Sequence, residues 1–281
     1  MLVALSLLCL YLVWGSTYFA IRVGLEGLPP LLMAGTRFVA AGGVLYAGLR
    51  LRGAPRPSAR AWRSAAVVGV LLCGSNGLVT LAEQEVSSSV AAVVISSMPL
   101  WAMLLAALWG ERPSALEIAG VAVGLAGVVL LQAGGELRAR PLGAALIVLS
   151  TWTWASGSMW SRRTELPVGL LAPAAEMLCG GAVLVALGLA AGERIPALPA
   201  ARPLIAWLFL AFFGSLLAYS AYNFLLRRVR PALATSYAYV NPAVAVALGA
   251  MAGEPVTARV VGSMALILGG VAVMSRGGQR P

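Results

Sequence analysis

Two sets of five apolar segments run along this 281-residue chain, and the odd number in each set constrains the fold more than any other feature. A unit of five membrane crossings starts on one side of a bilayer and finishes on the other. A second copy joined to it by a short loop must therefore run upside down. The match between the sets is direct. An ungapped shift of 143 residues places Pro99 on Pro242, Gly110 on Gly253 and Glu111 on Glu254, among twelve identities over positions 91 to 128. A composition this rich in Ala, Leu, Val and Gly gives roughly four such identities by chance. Inverted repeats of this kind are the usual architecture of secondary transporters, with the solute held where the halves meet. The expected halves are residues 1–135 and 136–281, packed together because the junction is too short to be a flexible linker.

Ten helices follow from the lengths of the apolar runs. The sequence is 60% hydrophobic and 11% charged with a mean hydropathy of +0.89, too little polarity to cover a soluble domain. About 20 apolar residues in a helix cross the hydrocarbon core. Such runs occupy 2–21, 31–49, 64–82, 87–109, 114–132, 141–161, 168–190, 204–226, 232–252 and 256–274. They are long and lack period-two alternation, so helices rather than barrel strands are predicted, in an all-α integral membrane protein. Every basic residue is Arg and every acidic one Glu; there is no Lys, Asp or His. With the N-terminus in the cytoplasm, thirteen loop arginines fall on that side and six on the other. The positive-inside rule then places both termini in the cytoplasm. The pI of about 10.5 thus reflects topology anchors, and nucleic-acid binding is not expected. Cys9, Cys73 and Cys179 lie on separate spans and suggest neither a disulfide nor a metal site.

Polar and aromatic residues concentrate in spans one, three, four, six, eight and nine, which predicts a central cavity ringed by those spans. Trp14, Thr17 and Tyr18 represent span one; Trp154 and Ser158 represent its counterpart, span six. Asn76 marks span three, with Tyr219 and Asn223 in span eight. Met98 and Trp101 come from span four, Tyr237 and Asn241 from span nine. Aromatic rings there enclose an amphipathic solute while hydroxyls and amides orient it; the same residue types also form interfacial belts or bond back to their own helices. Glycines and alanines at close spacing, Gly120 with Gly124 and Gly262, Ala265 with Gly269, mark spans five and ten as packing helices.

Arg37 and Glu176 lie at comparable depths in spans two and seven, the same position in each half. An unpaired charge there is costly. The two either approach the cavity, where they pair or hold a zwitterionic solute by its carboxylate and amine, or snorkel to the nearest interface. Pro99 and Pro242, matched in the two halves, are candidate hinges, because each removes a helical hydrogen bond. Glu111 and Glu254 are expected to cap the next helix or pair with loop arginines. Glu83 and Glu85 are further acidic candidates for proton coupling.

Several stretches resemble the EamA family of the drug/metabolite transporter superfamily, and within it the YedA-type inner-membrane permeases. They are Val13-Trp14-Gly15-Ser16-Thr17, Ala34-Gly35-Thr36-Arg37-Phe38, Leu166-Pro167-Val168-Gly169, Glu176-Met177-Leu178 and the run from Pro231 to Pro242. The resemblance spans the chain. It implies ten helices in two EamA repeats, cytoplasmic termini, and export of metabolites, amino acids or drug-like compounds through a central cavity of a bacterial inner membrane. A passive facilitator for small solutes is the alternative. An intramembrane enzyme is disfavoured, with no catalytic residue assigned: His and Asp clusters are missing and no G-x-S-x-G elbow occurs. No cofactor or metal is implied, and the expected partners are a small-molecule substrate and the lipid bilayer.

Overall fold

The computed structural model describes residues 1–85, 95–132, 141–195, 199–241, 244 and 258–277. Among them every regular element is helical: α1 (Leu2–Gly24), α2 (Pro30–Leu51), α3 (Ala59–Ala82), α4 (Met98–Leu108), α5 (Ala115–Gln132), α6 (Pro141–Ser161), α7 (Leu171–Ala190), α8 (Ala201–Leu226), α9 (beginning with Pro231–Ala234 and continuing through helical residues 237–241) and α10 (Ala258–Gly277). Helices α1, α2, α3, α7 and α8 are each long and apolar enough to cross a membrane. In a hydrocarbon solvent a helix is favoured because it satisfies every interior backbone group within itself.

Local chemistry sets the helix starts. Pro30 opens α2 at its first turn, where a missing N–H costs nothing. Ser58 accepts the Ala61 N–H at 3.0 Å to open α3. Ser114 and Glu117 form a reciprocal capping box at α5: the Ser114 N–H donates to the Glu117 carboxylate at 2.8 Å, and the Glu117 N–H to Ser114 Oγ at 3.2 Å. Glu111 takes the second of its two expected roles, pairing with the loop arginines Arg162 and Arg163 at 3.6 and 3.7 Å. At the other end of the bundle, Gly192 adopts φ +83° after α7. That turn swings the Glu193 carboxylate onto the Leu31 and Leu32 N–H groups of α2, at 3.1 and 2.8 Å.

The bundle turns apolar side chains outward and buries polar groups among its apolar core. Leu5, Leu8, Leu12 and Phe19 of α1 are exposed, as are Phe212 and Phe213 of α8. Ser75, Thr80, Thr151, Ser158 and Asn223 are buried. Lipid removes the penalty for exposed leucine, and buried hydroxyls find partners within the bundle.

Two pairs of helices pack along their lengths, α2 on α7 and α5 on α10. Glycine makes both pairs close. A Cβ at Gly35 would lie 2.7 Å from the Val185 nitrogen, and one at Gly120 2.7 Å from the Gly270 carbonyl oxygen. On α5 the expected glycines, Gly120 and Gly124, make the contact. On α10 the packing stripe is Ser263, Ile267, Gly270 and Met274. Gly262 and Gly269 have nothing within 4 Å of a Cβ, and Ala265 is exposed. Small-residue spacing identified the packing helix but chose its wrong face.

Pro99 stands beside an interruption: residue 95 is helical, 96–97 form a turn and the helix resumes at Met98. Pro99 itself sits in the first turn of α4, so its missing N–H removes no interior hydrogen bond. Pro242 and Glu254 lie outside the described residues. The irregularity that the sequence did not signal is in α8, where Leu210–Tyr219 winds as a π-helix between two α-helical stretches. Wide turns of this kind recur at functional sites because they turn side chains off the regular helical register.

Candidate functional site

A cavity of about 70 Å³ lies where α1, α2, α3, α4, α6, α8 and α9 converge. Trp14, Thr17 and Tyr18 reach it from α1, Asn76 from α3, Met98 from α4 and Trp154 from α6. Tyr219 reaches it from α8, and Tyr237 and Asn241 from α9. Arg37 and Phe38 add α2, a helix that the polarity pattern had left outside the ring. The volume holds about five water-sized positions and falls well below the ~300 Å³ at which drug-sized pockets begin.

Aromatic rings form the cavity wall by packing on one another. Trp14 meets Tyr237 edge-on at 4.6 Å and Trp154 at 5.3 Å. Phe38 and Trp154 both approach Tyr219, at 6.0 and 6.4 Å. Hydrogen bonds fix the rings. Trp14 Nε1 donates to the Gly214 carbonyl at 3.1 Å, and Trp154 Nε1 to the Tyr222 hydroxyl at 3.0 Å. Gly214 belongs to the wide-turn stretch of α8, so the irregular helix and the cavity wall are one construction. A Cβ there would lie 3.3 Å from the Thr17 methyl and 3.6 Å from Arg37 Nη1.

Arg37 is 3% exposed. Its Nη2 donates to Asn76 Oδ1 at 2.7 Å, its Cζ lies 4.6 Å from the centroid of the Phe38 ring, and its Nε has no partner. Asn241, 3% exposed, likewise lines the cavity with its Oδ1 unpartnered. Glu83, one residue past the end of α3, is half-buried. Burial pushes its carboxyl up to about 8 against the opposing pull of Arg22 and Arg37.

Glu176 is elsewhere. It is fully buried behind the wall, accepting the Tyr219 hydroxyl at 3.0 Å and the Asn223 amide at 2.9 Å on one oxygen. No ion pair joins it to Arg37, so matched depth in the two halves does not bring the two charges together. Asn223 is spent on this contact rather than on the cavity. Ser158 bonds to the Tyr222 hydroxyl at 2.6 Å and to the Trp154 carbonyl, supporting the wall from behind. Trp101 lies with Trp152 in a shallow apolar groove on the outer face, its Nε1 bonded to Ser97. Four of the fourteen nominated residues, Trp101, Ser158, Glu176 and Asn223, therefore do not line the cavity. Conversely Phe38, Ser75, Ile95, Ser150 and Gly214 line it without nomination as site residues. Ser150 was findable, since it lies four residues before Trp154 and so on the same helix face. Gly214 carried no such signal.

Known proteins resemble this chain in fold and in sequence. A solved crystal structure superposes with a TM-score of 0.81 over 98% of this chain and 96% of its own, at 23% identity, which shows a common fold. The protein named "Uncharacterized inner membrane transporter YedA" of Escherichia coli (strain K12) is 50% identical over 246 residues, 87% of this chain and 80% of its own. A "Probable terminal-alkyne amino-acid exporter" of Streptantibioticus cattleyicolor is 29% identical over 244 residues, 83% of this chain and 79% of its own. The EamA-like transporter family matches residues 1–132 and 141–276. With apolar helices turned to lipid and a polar cavity between them, this chain is a multi-pass membrane protein that belongs to the EamA-like transporter family.

Proposed function

We propose that the chain is a secondary transporter that exports small metabolites, amino acids or amphipathic drug-like solutes by alternating access through the α1–α4, α6, α8 and α9 cavity. The observation that carries this reading is the cavity itself. Helices from both family-matched stretches line it, and two of its lining side chains, Arg37 and Asn241, are buried with a polar atom left without a partner. The exporter name of the Streptantibioticus relative supports the direction of transport, and the YedA name supports a bacterial inner membrane. Ten spans in two inverted repeats, residues 1–135 and 136–281, with both termini in the cytoplasm, complete the reading. The pairing of α2 with α7 and α5 with α10 supports it, because an axis between counterpart helices makes each face its own mate. The carrier is not an enzyme in this reading and uses no cofactor.

Proteoliposomes holding the whole chain test the proposal against a panel of amino acids, hydroxy acids and amphipathic drugs. Carrier function predicts saturable flux, with trans-acceleration by the same solute. Linear, unsaturable flux would identify a passive pathway, and the absence of flux across the panel would remove the transport reading. Cysteine-accessibility labelling tests the topology: residues 53 and 192 must react from opposite sides, and reaction from one side ends the inverted arrangement.

A further inference from the structure

We propose that the solute is a small organic anion bound by its carboxylate to Arg37, and that the cavity rejects cationic amphiphiles of the same size. The inference rests on the carrier reading above and names its substrate class.

The argument begins with charge. Arg37 is the only ionised side chain lining the cavity among the described residues. A guanidinium stays protonated under all ordinary conditions, so the charge is permanent. At 3% exposure it is almost fully removed from solvent. Among the described residues, no carboxylate lies within 4.0 Å of it, although the surface arginines Arg60, Arg162, Arg202 and Arg230 all have such partners. The field of Glu83 reaches Arg37, but no ion pair forms. An isolated buried charge is unfavourable unless a counter-charge arrives. Here the open direction is the cavity.

Arg37 is also held as a receptor would hold it. The Asn76 carbonyl oxygen takes one Nη2 hydrogen at 2.7 Å. The adjacent Phe38 ring lies against the guanidinium. Gly214, without a side chain, leaves Nη1 uncovered on the α8 side. Those contacts leave Nε without a partner, and a planar guanidinium prefers a carboxylate that it can grip with two N–H groups. Opposite charge is excluded from the wall. Glu176, the one acid at matching depth in the other half, faces Tyr219 and Asn223 behind it. A solute ammonium would therefore meet Arg37 and no carboxylate. The remaining free group is the Asn241 carbonyl oxygen, an acceptor for a hydroxyl or amino hydrogen beside the carboxylate. The cavity volume of about 70 Å³ limits the solute in this conformation to a handful of heavy atoms.

Three solutes on one carbon skeleton separate the possibilities: lactate, lactamide and 1-amino-2-propanol are an anion, a neutral amide and a cation. Binding is followed by the intrinsic tryptophan fluorescence of the purified full chain, to which the cavity residues Trp14 and Trp154 contribute, at constant pH and ionic strength. The proposal expects lactate to bind at least about tenfold more tightly than either analogue, the value of a charge-assisted hydrogen bond. Arg37→Gln should abolish that preference, and Arg37→Lys should keep part of it. Equal binding of the amine or amide by the natural protein overturns the proposal without any variant. So does unchanged lactate binding in R37Q, or no binding of lactate at all. The carrier reading fails separately: it falls if no solute of the flux panel moves, whereas a panel that yields only cations sinks the anion class alone.

Discussion

Arg37 and Glu176 occupy matching depths in α2 and α7, yet the fold gives them opposite surroundings, one facing a cavity and one sealed behind it. Glu176 acts on the site through Tyr219, whose ring lines the cavity while its hydroxyl donates to the carboxylate. Replacing Glu176 with Ala leaves the Tyr219 and Asn223 donors buried and unpaired, and should lower stability by about 2–4 kcal/mol. Glu176→Gln keeps an acceptor oxygen for both and should cost much less. Thermal unfolding in detergent distinguishes the two, and equal losses would show that the hydrogen bonds do not matter. Trp14→Phe removes the indole N–H to Gly214 together with part of a buried ring packed on Trp154, Tyr222 and Tyr237, and should cost about 2–3 kcal/mol in the same measurement. The sequence identified both charges as unusual, because a charge within an apolar run is legible by position alone. It did not reveal which one faces the cavity, since that depends on the rotation of each helix about its axis.

Close backbone approach governs the elements. Gly69 of α3 and Gly180 of α7 face each other so tightly that a Cβ on Gly69 would lie 2.1 Å from the Glu176 carbonyl oxygen. Neither that oxygen nor the α7 backbone can retreat, so Gly69→Ala should prevent correct assembly of α3 on α7. Gly262→Ala, where nothing lies within 4 Å, should be neutral or stabilising by up to about 1 kcal/mol through helix propensity. Monodispersity on size exclusion and the unfolding temperature check the pair; equal tolerance at both positions would contradict the packing described. Capping is tested at Glu193, whose carboxylate satisfies two N–H groups of α2. Glu193→Ala should cost about 1–2 kcal/mol. The Pro30 start and the Ser58 cap act locally, within a few residues of the helix ends that they set. Glu193 lies more than 160 residues from the helix it caps, and no local rule could find it. The wide-turn stretch of α8 was equally hidden, since Leu210–Tyr219 contains no proline and reads as ordinary apolar helix.

At the scale of the whole molecule, Glu83 at the end of α3 makes stability depend on pH. Burial raises the Glu83 carboxyl from 4.5 to about 8, so the folded state holds a proton that the unfolded chain releases. Stability should therefore be greatest on the acid side and fall as the pH rises from about 4.5 through 8. Glu83→Gln should flatten that slope; an unchanged profile would place the dependence elsewhere. Taken as a whole, the chain's membership of a membrane transporter family was written in its one-dimensional pattern. Apolar runs of bilayer length and the internal match around Pro99 are properties of order and composition, and the first of these is what a bilayer selects directly. What only the tertiary structure decided is which polar groups share a space. Helix rotation and close packing at glycine put Arg37, Asn76 and Asn241 around one cavity and turned Glu176 and Trp101 away, because side-chain direction is set by the neighbours that a helix meets and not by its own sequence.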